Sequence, residues 1–490
     1  MTAAFDREAV RRLPLAEATL RVFDFALDEQ FLNSVFERHR GRSYENVISF
    51  PTFVHLVSDA LLNRDSAHQT FRSAQEQEKL RASVAAMYGK LRRVPLDLSV
   101  QLFTEAAARL RTVQAPVVAN ALPASLAAFW TLAFDGKKLK YVIKKLKPLR
   151  GLKGNIFGGK LLVVQDVATQ QAVAATAVLD GESADNPLVP PLVQRVRSLV
   201  EDRPCLWVGD RAFCDFKLLC LLAQAPDHFV VRFNTSCGFH RDGAVAIREG
   251  KDEQGRPFTE EWGWLGKPSN PHRIRVRMIT VQRANAEPLI VVTSLLDADA
   301  YPAVDLLTIY RSRWGIEVMF QHVVQTFDLR HLIGTTAQAT VFQAMLCLLL
   351  YNATLMIRDY IAEAADRPPQ TISVKLLFND ILDALTAWAL ILGEERTLDW
   401  FRGPQATRIR STEQLRNHLR GLLATVWTDR WIKARTIKNR PRPVARAYLC
   451  GGHTSVDKVQ RGVHHEISLQ PALNQKGDNA PPPFEQRKHV

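Results

Sequence analysis

Tyr310, Arg313 and Glu317 stand at i, i+3 and i+7 in the octapeptide Tyr310–Arg311–Ser312–Arg313–Trp314–Gly315–Ile316–Glu317. A helix there puts all three on one face. A phenol, a guanidinium and a carboxylate side by side suit a phosphodiester and its metal ion. Arginine forks onto phosphate oxygens, and a carboxylate holds a hard divalent cation. Taken alone, the same spacing equally describes a solvated amphipathic helix with an Arg–Glu pair at i, i+4. Two more carboxylates tip the balance. Asp135 and Asp210 each follow an apolar run, Phe129–Phe134 and Cys205–Gly209. Such runs read as buried strands, and sites in α/β sheets assemble at the carboxyl ends of strands. Either aspartate by itself is as readily a turn or helix-capping residue. Together with Glu317 in a basic chain they point to metal-assisted chemistry on phosphate. Three carboxylates can hold two Mg²⁺ ions roughly 3.5–4 Å apart.

The elements that must position these groups follow from the patterning. Residues 1–125 read as N-terminal helices, with apolar positions at three- and four-residue spacing in FVHLVSDALL, EKLRASVAAMYGKL and LSVQLFTEAAARLR. Residues 126–235 read as the first part of a mixed α/β core: strands over 129–134, 160–166 and 172–179, a helix over 188–200, a strand over 205–209, a helix over 216–225 and a strand over 228–233. Residues 236–297 are rich in Gly, Pro and charge and read as a β insertion. In its strand 273–281, alternation places Arg273, Arg275 and Arg277 on one basic face. Residues 298–365 hold the Glu317 helix and a long apolar helix. Residues 366–447 read as a C-terminal helical region with a basic arm, and 448–490 as a disordered tail. The run Val341–Ile357 is interrupted by Gln343 and Asn352, which fits a buried core helix better than a membrane span.

The totals narrow the partner. Among 490 residues, 64 Lys and Arg outweigh 50 Asp and Glu, a formal charge of +14. A pI near 9.6 on a chain with no predicted membrane segment implies a polyanion, with nucleic acid as the default. The six cysteines are scattered, without a CxxC pair or zinc spacing. They read as reduced thiols in a cytoplasmic protein. The N-terminus lacks the apolar core of a signal peptide, and Gly158–Gly159 is too short to cradle a nucleotide.

Lys137 to Lys153 carries eight basic residues in seventeen positions and no acid, and Arg430 to Arg446 carries seven in seventeen. Such runs are usually solvated loops. Next to Asp135 the first, with Lys137, Lys138, Lys140, Lys144 and Lys145, reads as a phosphate track. Trp262 and Trp264 face the same way if the insertion forms a strand there. Core packing is the expectation for both, with base stacking as the alternative, and Trp314 also reads as core.

AFDGKK at 133–138, WVGDRAF at 207–213 and YRSRWGIE at 310–317 resemble the DDE transposases of bacterial insertion sequences, specifically the insertion sequence four group with its Y-R-E-K signature. The resemblance covers roughly residues 125–335. It implies a ribonuclease-H-like catalytic core with a β-rich insertion between the second Asp and the Glu, flanked by helical regions. It implies that Asp135, Asp210 and Glu317 are the catalytic, metal-binding triad for two Mg²⁺, with Mn²⁺ as a substitute. Tyr310 and Arg313 would contact the phosphates of the transposon end, with Arg211 and the Lys137–Lys145 lysines as further contacts to double-stranded DNA. The implied reaction is hydrolysis at the element ends, then attack of a 3′-hydroxyl on target DNA by a homodimer in a synaptic complex at the bacterial nucleoid. One departure is plain: the signature lysine, due seven residues after Glu317, is Val324, and Gln321 is no lysine either. Arg330 and His331 lie further along. Either another group supplies that charge, or the chain is an impaired DNA-binding derivative. A nuclease of the same fold is a third reading.

Overall fold

A computed structural model describes residues 12–43, 45–62, 66–139, 156–200, 203–284, 286–327, 332–392, 409, 411–433 and 454–455. Lys140, Lys144 and Lys145 of the basic run, Arg330 and His331, most of the arm after Arg430 and nearly all of the tail lie outside the described residues.

The chain opens with helices α1 (Pro14–Ala26), α2 (Glu29–His39), α3 (Phe50–Leu62), α4 (Ala67–Glu76), α5 (Val84–Arg93) and α6 (Leu96–Arg111). Side-chain caps fix several starts: Asp28 accepts from the Phe31 amide at 2.9 Å, and Ser83 from that of Ala86 at 3.2 Å. The periodic stretch from Glu78 therefore becomes helical only at Val84. Glu78 itself takes a positive φ of 61°, which a helix does not admit.

The sheet begins with β1 (Trp130–Lys138), β2 (Ile156–Phe157), β3 (Lys160–Asp166) and β4 (Ala172–Val178). β1 runs through Asp135 instead of ending there, because it pairs with β3 as far as Lys138↔Lys160. Then come α7 (Val189–Arg197), with Pro190 and Pro191 in its first turn, β5 (Cys205–Gly209), α8 (Phe216–Leu222) and β6 (His228–Arg232). The insertion adds β7 (Phe239–Arg241), β8 (Arg248–Lys251), β9 (Pro257–Leu265), β10 (Ile274–Val281) and β11 (Leu289–Thr293). It extends the same sheet, whose order is β4-β3-β1-β5-β6-β11-β10-β9-β7, with β8 on β9. β4, β3 and β1 are antiparallel, while β1, β5 and β6 are parallel. This is the mixed α/β sheet with flanking helices that the patterning predicts. The expected basic face of β10 survives only in part: Arg275 is exposed and Arg273 half-buried, but Arg277 is not on the surface. Arg277 is fully buried, paired with Glu260 and donating to the Tyr301 carbonyl at 2.6 Å, since a desolvated guanidinium must find partners.

The rest of the chain is helical: α9 (Ala303–Ser312), α10 (Trp314–Gln325), α11 (Ala337–Ala364), α12 (Val374–Leu392) and α13 (Thr412–Leu423), with a short β12 (Thr454–Ser455) on β2. Leu132, Phe134, Trp207 and Val231 pack on one sheet face with α7 and α8. Ala133, Val208 and Val230 pack on the other with α9. α11 is long and apolar enough to cross a membrane, but its apolar window is wholly buried inside the protein. Helices from both ends of the chain share its core. Its two polar interruptions serve backbone: Asn352 accepts from the Ala172 amide at 2.9 Å and donates to the Ala172 carbonyl at 2.7 Å, and Gln343 accepts from the Ile333 amide at 2.9 Å. Each bond satisfies a group whose burial without a partner costs about 1–3 kcal/mol.

Candidate active site

β1 and β5 run parallel with Ala133 beside Val208. Asp210 keeps an extended backbone just past β5, so two residues on, Asp135 and Asp210 fall side by side. Adjacent strands lie about 4.8 Å apart. On the other side Gly209 pairs with Val231, which brings Arg232, the last residue of β6, next to Asp210. Alternation keeps this row on the face of Ala133, Val208 and Val230, the face that α9 covers. Strand pairing thus lines up two acids and a guanidinium at the carboxyl edge of the sheet. Gly209, on the opposite face, lets the Phe134 ring approach: a Cβ there would lie 2.9 Å from Cζ.

The expected single helix from Tyr310 to Glu317 is two, meeting at Arg313. Arg313 keeps right-handed helical angles (φ −51°, ψ −31°), so the shared face persists. Tyr310 is buried, its ring centroid 5.9 Å from the Arg313 guanidinium carbon, and burial raises its pKa while Arg313 and Arg232 oppose the shift. Arg313 donates from Nη2 to Glu317 Oε1 at 2.9 Å. Its Nε is buried without a hydrogen-bond partner among the described residues, leaving a donor for a ligand oxygen. Burial works against the Arg313 charge, but Glu317, Tyr310, Asp210 and Asp135 around it together raise its pKa. Asp135 accepts from the Gly136 amide at 2.8 Å. Burial drives its pKa up to about 6; the Gly136 amide and Arg313 oppose the rise, and the neighbouring Glu317 and Asp210 charges add to it.

The structure therefore brings Asp135, Asp210, Glu317, Tyr310 and Arg313 into one electrostatic neighbourhood and adds Arg232, which sequence reasoning missed. Its position as a charged residue near the end of an apolar run was the available signal. The three acids are not drawn into one ligand set: no group of three His, Cys, Asp or Glu among the described residues is gathered closely enough to hold a metal ion. Asp135 and Asp210 fit a divalent cation, being hard oxygen donors whose mutual repulsion a cation relieves. Glu317 would join them only by leaving Arg313. It also lines a cavity of about 280 Å³ with Lys137, Lys138, Phe320, Gln321 and Val324. Val324, where a lysine was expected, packs against the helical core. Lys138 sits over the Phe157 ring at 5.0 Å, and Arg211 is exposed in the turn after Asp210.

Trp314 departs from expectation. It is 61 % exposed, not core. As the first residue of α10 it faces away from the sheet, while Ile316, Met319 and Phe320 bury the helix's inner face. Trp262 is buried, its Nε1 donating to the Leu296 carbonyl at 2.8 Å, whereas Trp264 is half-buried under Arg273 at 4.3 Å.

Residues 132–353 match the family model described as Transposase DDE domain. All three acids fall inside that match. Over 159 residues the chain is 24 % identical to a protein of Sinorhizobium fredii that carries the name transposase y4zB, covering 32 % of this chain and 43 % of that one. Over 145 residues it is 27 % identical to a Geobacillus stearothermophilus protein named as transposase for insertion sequence element IS5377, covering 29 % and 37 %. The chain thus spans less than half the length of either relative. A solved piggyBac transposase synaptic complex with hairpin DNA aligns over 85 % of this chain and 88 % of its own at 12 % identity and a TM-score of 0.41, a likeness too slight to carry an argument.

Proposed function

We propose that this protein is a DNA transposase of the insertion sequence four type, which cleaves the ends of its element and joins them to target DNA. The observation that carries the reading is the row Asp135–Asp210 at the carboxyl edge of the sheet, beneath the Arg313–Glu317 pair. In this reading Asp135, Asp210 and Glu317 are the catalytic acids and hold two Mg²⁺, for which Mn²⁺ substitutes. Bound there, the ions would supply Lewis acidity at the scissile phosphate. Arg313 and Tyr310 bind and orient that phosphate, and Arg232 adds positive potential beside Asp210. When DNA arrives, Arg313 exchanges Glu317 for phosphate oxygens, which a guanidinium grips in bidentate fashion. Glu317 is then released toward the aspartates. Lys137, Lys138, Arg211 and the lysines that follow hold the duplex backbone. A homodimer would pair two ends, in the bacterial cytoplasm at the nucleoid.

The test is strand cleavage of the DNA bordering the gene, with Mg²⁺, by wild type and by Glu317→Gln. Nicking by the wild type alone supports the reading. Equal cutting by both proteins removes Glu317 from the chemistry. Val324 and the Arg313-held Glu317 favour a second reading, a non-catalytic DNA-binding derivative, which binding without cleavage would support. Cleavage without joined product would point to a nuclease.

A further inference from the structure

Two thiols meet at the edge of the sheet that carries the aspartates. Cys214 closes the short turn that follows β5 and Asp210. Cys237 closes the turn that follows β6 and Arg232, just before β7 opens the insertion. Both side chains are buried, and neither is in a disulfide. Their sulfurs lie 3.9 Å apart, and Cys237 Sγ donates to the Cys214 carbonyl at 2.8 Å. A disulfide holds its sulfurs about 2.05 Å apart, so this pair must close by about 1.9 Å. Other thiols are turned elsewhere: Cys220 donates to the His272 carbonyl at 3.4 Å and Cys347 to that of Phe327 at 3.5 Å. Burial raises the pKa of both members of the pair, that of Cys214 to about 12. At neutral pH the pair is therefore protonated and slow to react.

We infer that Cys214 and Cys237 are a redox-reactive pair that a peroxide closes into a disulfide, fastening the turn after Asp210 to the turn after Arg232. Cys237 is the more exposed, at 8 % against 3 %, and meets the oxidant first. Its sulfur attacks one peroxide oxygen, the O–O bond breaks, and a sulfenic acid and one water result. The Cys214 sulfur then displaces the hydroxyl from that sulfenic acid, giving the S–S bond and a second water. The two thiol protons end in the two waters. The sulfurs together lose two electrons, and the peroxide gains them. The new bond joins residues 23 apart in sequence and braces the edge on which Asp210 and Arg232 stand. A small thiol reverses it. This chemistry stands apart from the strand-cutting function proposed above.

The test treats the full chain with hydrogen peroxide at about pH 8, where thiolate is less scarce. The protein is then unfolded in N-ethylmaleimide and digested with trypsin. Peptides 212–217 and 233–241 are expected as one linked species that dithiothreitol separates. Cys220→Ser should leave that species unchanged. Cys214→Ser should abolish it and leave Cys237 as a sulfenic acid, which dimedone traps. Hydrogen exchange in residues 211–217 and 233–239 should slow severalfold in the oxidised protein and recover on reduction. Recovery of both cysteines as maleimide adducts overturns the inference, as does linkage of either one to another cysteine. A link that leaves exchange unchanged overturns the brace.

Discussion

Arg313 and Glu317 neutralise each other across one helical turn, with 2.9 Å between guanidinium and carboxylate. Each is thereby withheld from the partner its chemistry would otherwise seek, a phosphate for one and a cation for the other. Arg313→Ala should release Glu317. Mn²⁺ affinity in the absence of DNA is then expected to rise severalfold, while DNA affinity falls roughly tenfold with the lost charge-assisted bond. Mn²⁺ titration followed by electron paramagnetic resonance reads the first effect. Unchanged Mn²⁺ binding would mean that the pair does not restrain Glu317.

Asp135 gives a pH signature. Burial first, then the nearby Glu317 and Asp210 charges, lift its pKa from the ordinary 3.8 to about 6. The folded protein therefore holds this proton more tightly than the unfolded chain, and stability is lost as pH rises from about 4 through about 6. Asp135→Asn should stabilise the protein at pH 8 by about 1–3 kcal/mol, with the gain gone near pH 4. Urea midpoints at the two pH values check this. Below pH 6 a proton competes with the cation for this carboxylate, so the Mg²⁺ concentration needed for cleavage should rise there.

Much of this site was legible from residue type alone. An acid directly after an apolar strand is an unusual expense in a buried sheet, so Asp135 and Asp210 stood out before any coordinates. What spacing could not give was the third dimension. Arg232 joins the row only because β6 pairs with β5. Arg277 looked like one of three exposed arginines until Glu260, on the neighbouring strand, claimed it. Trp314 was misplaced because helical periodicity does not say which residue of a helix's first turn the sheet will cover. The break at Arg313 was likewise hidden, since both halves of the octapeptide favour helix.

A second network ties the insertion to the helices of the site. Asp252, in the turn between β8 and β9, has a fully buried carboxylate that accepts from Arg256 at 2.6 Å and from Arg311 at 2.5 Å. Arg311 is two residues before Arg313. Arg311→Gln is expected to cost about 1–2 kcal/mol, because Arg256 still partners the acid. Hydrogen exchange should quicken in residues 248–259. Protection there equal to wild type would show that the contact does not anchor the turn.

Asn352 offers a test of the core. Its side-chain amide bonds both backbone groups of Ala172. Asn352→Leu keeps the volume but orphans two buried polar groups, and should destabilise by about 2–4 kcal/mol. Thermal melts read the loss. A variant as stable as wild type would mean that those groups find other partners.

The placement of α11 has a practical corollary. The family match stops at residue 353, partway along a rod that continues to Ala364 and is jacketed by segments from both ends of the chain. Excising the matched portion would saw through that rod and strip its wrapping, laying bare a greasy column in water. Anyone seeking a minimal soluble version should expect precipitate, and should trim elsewhere.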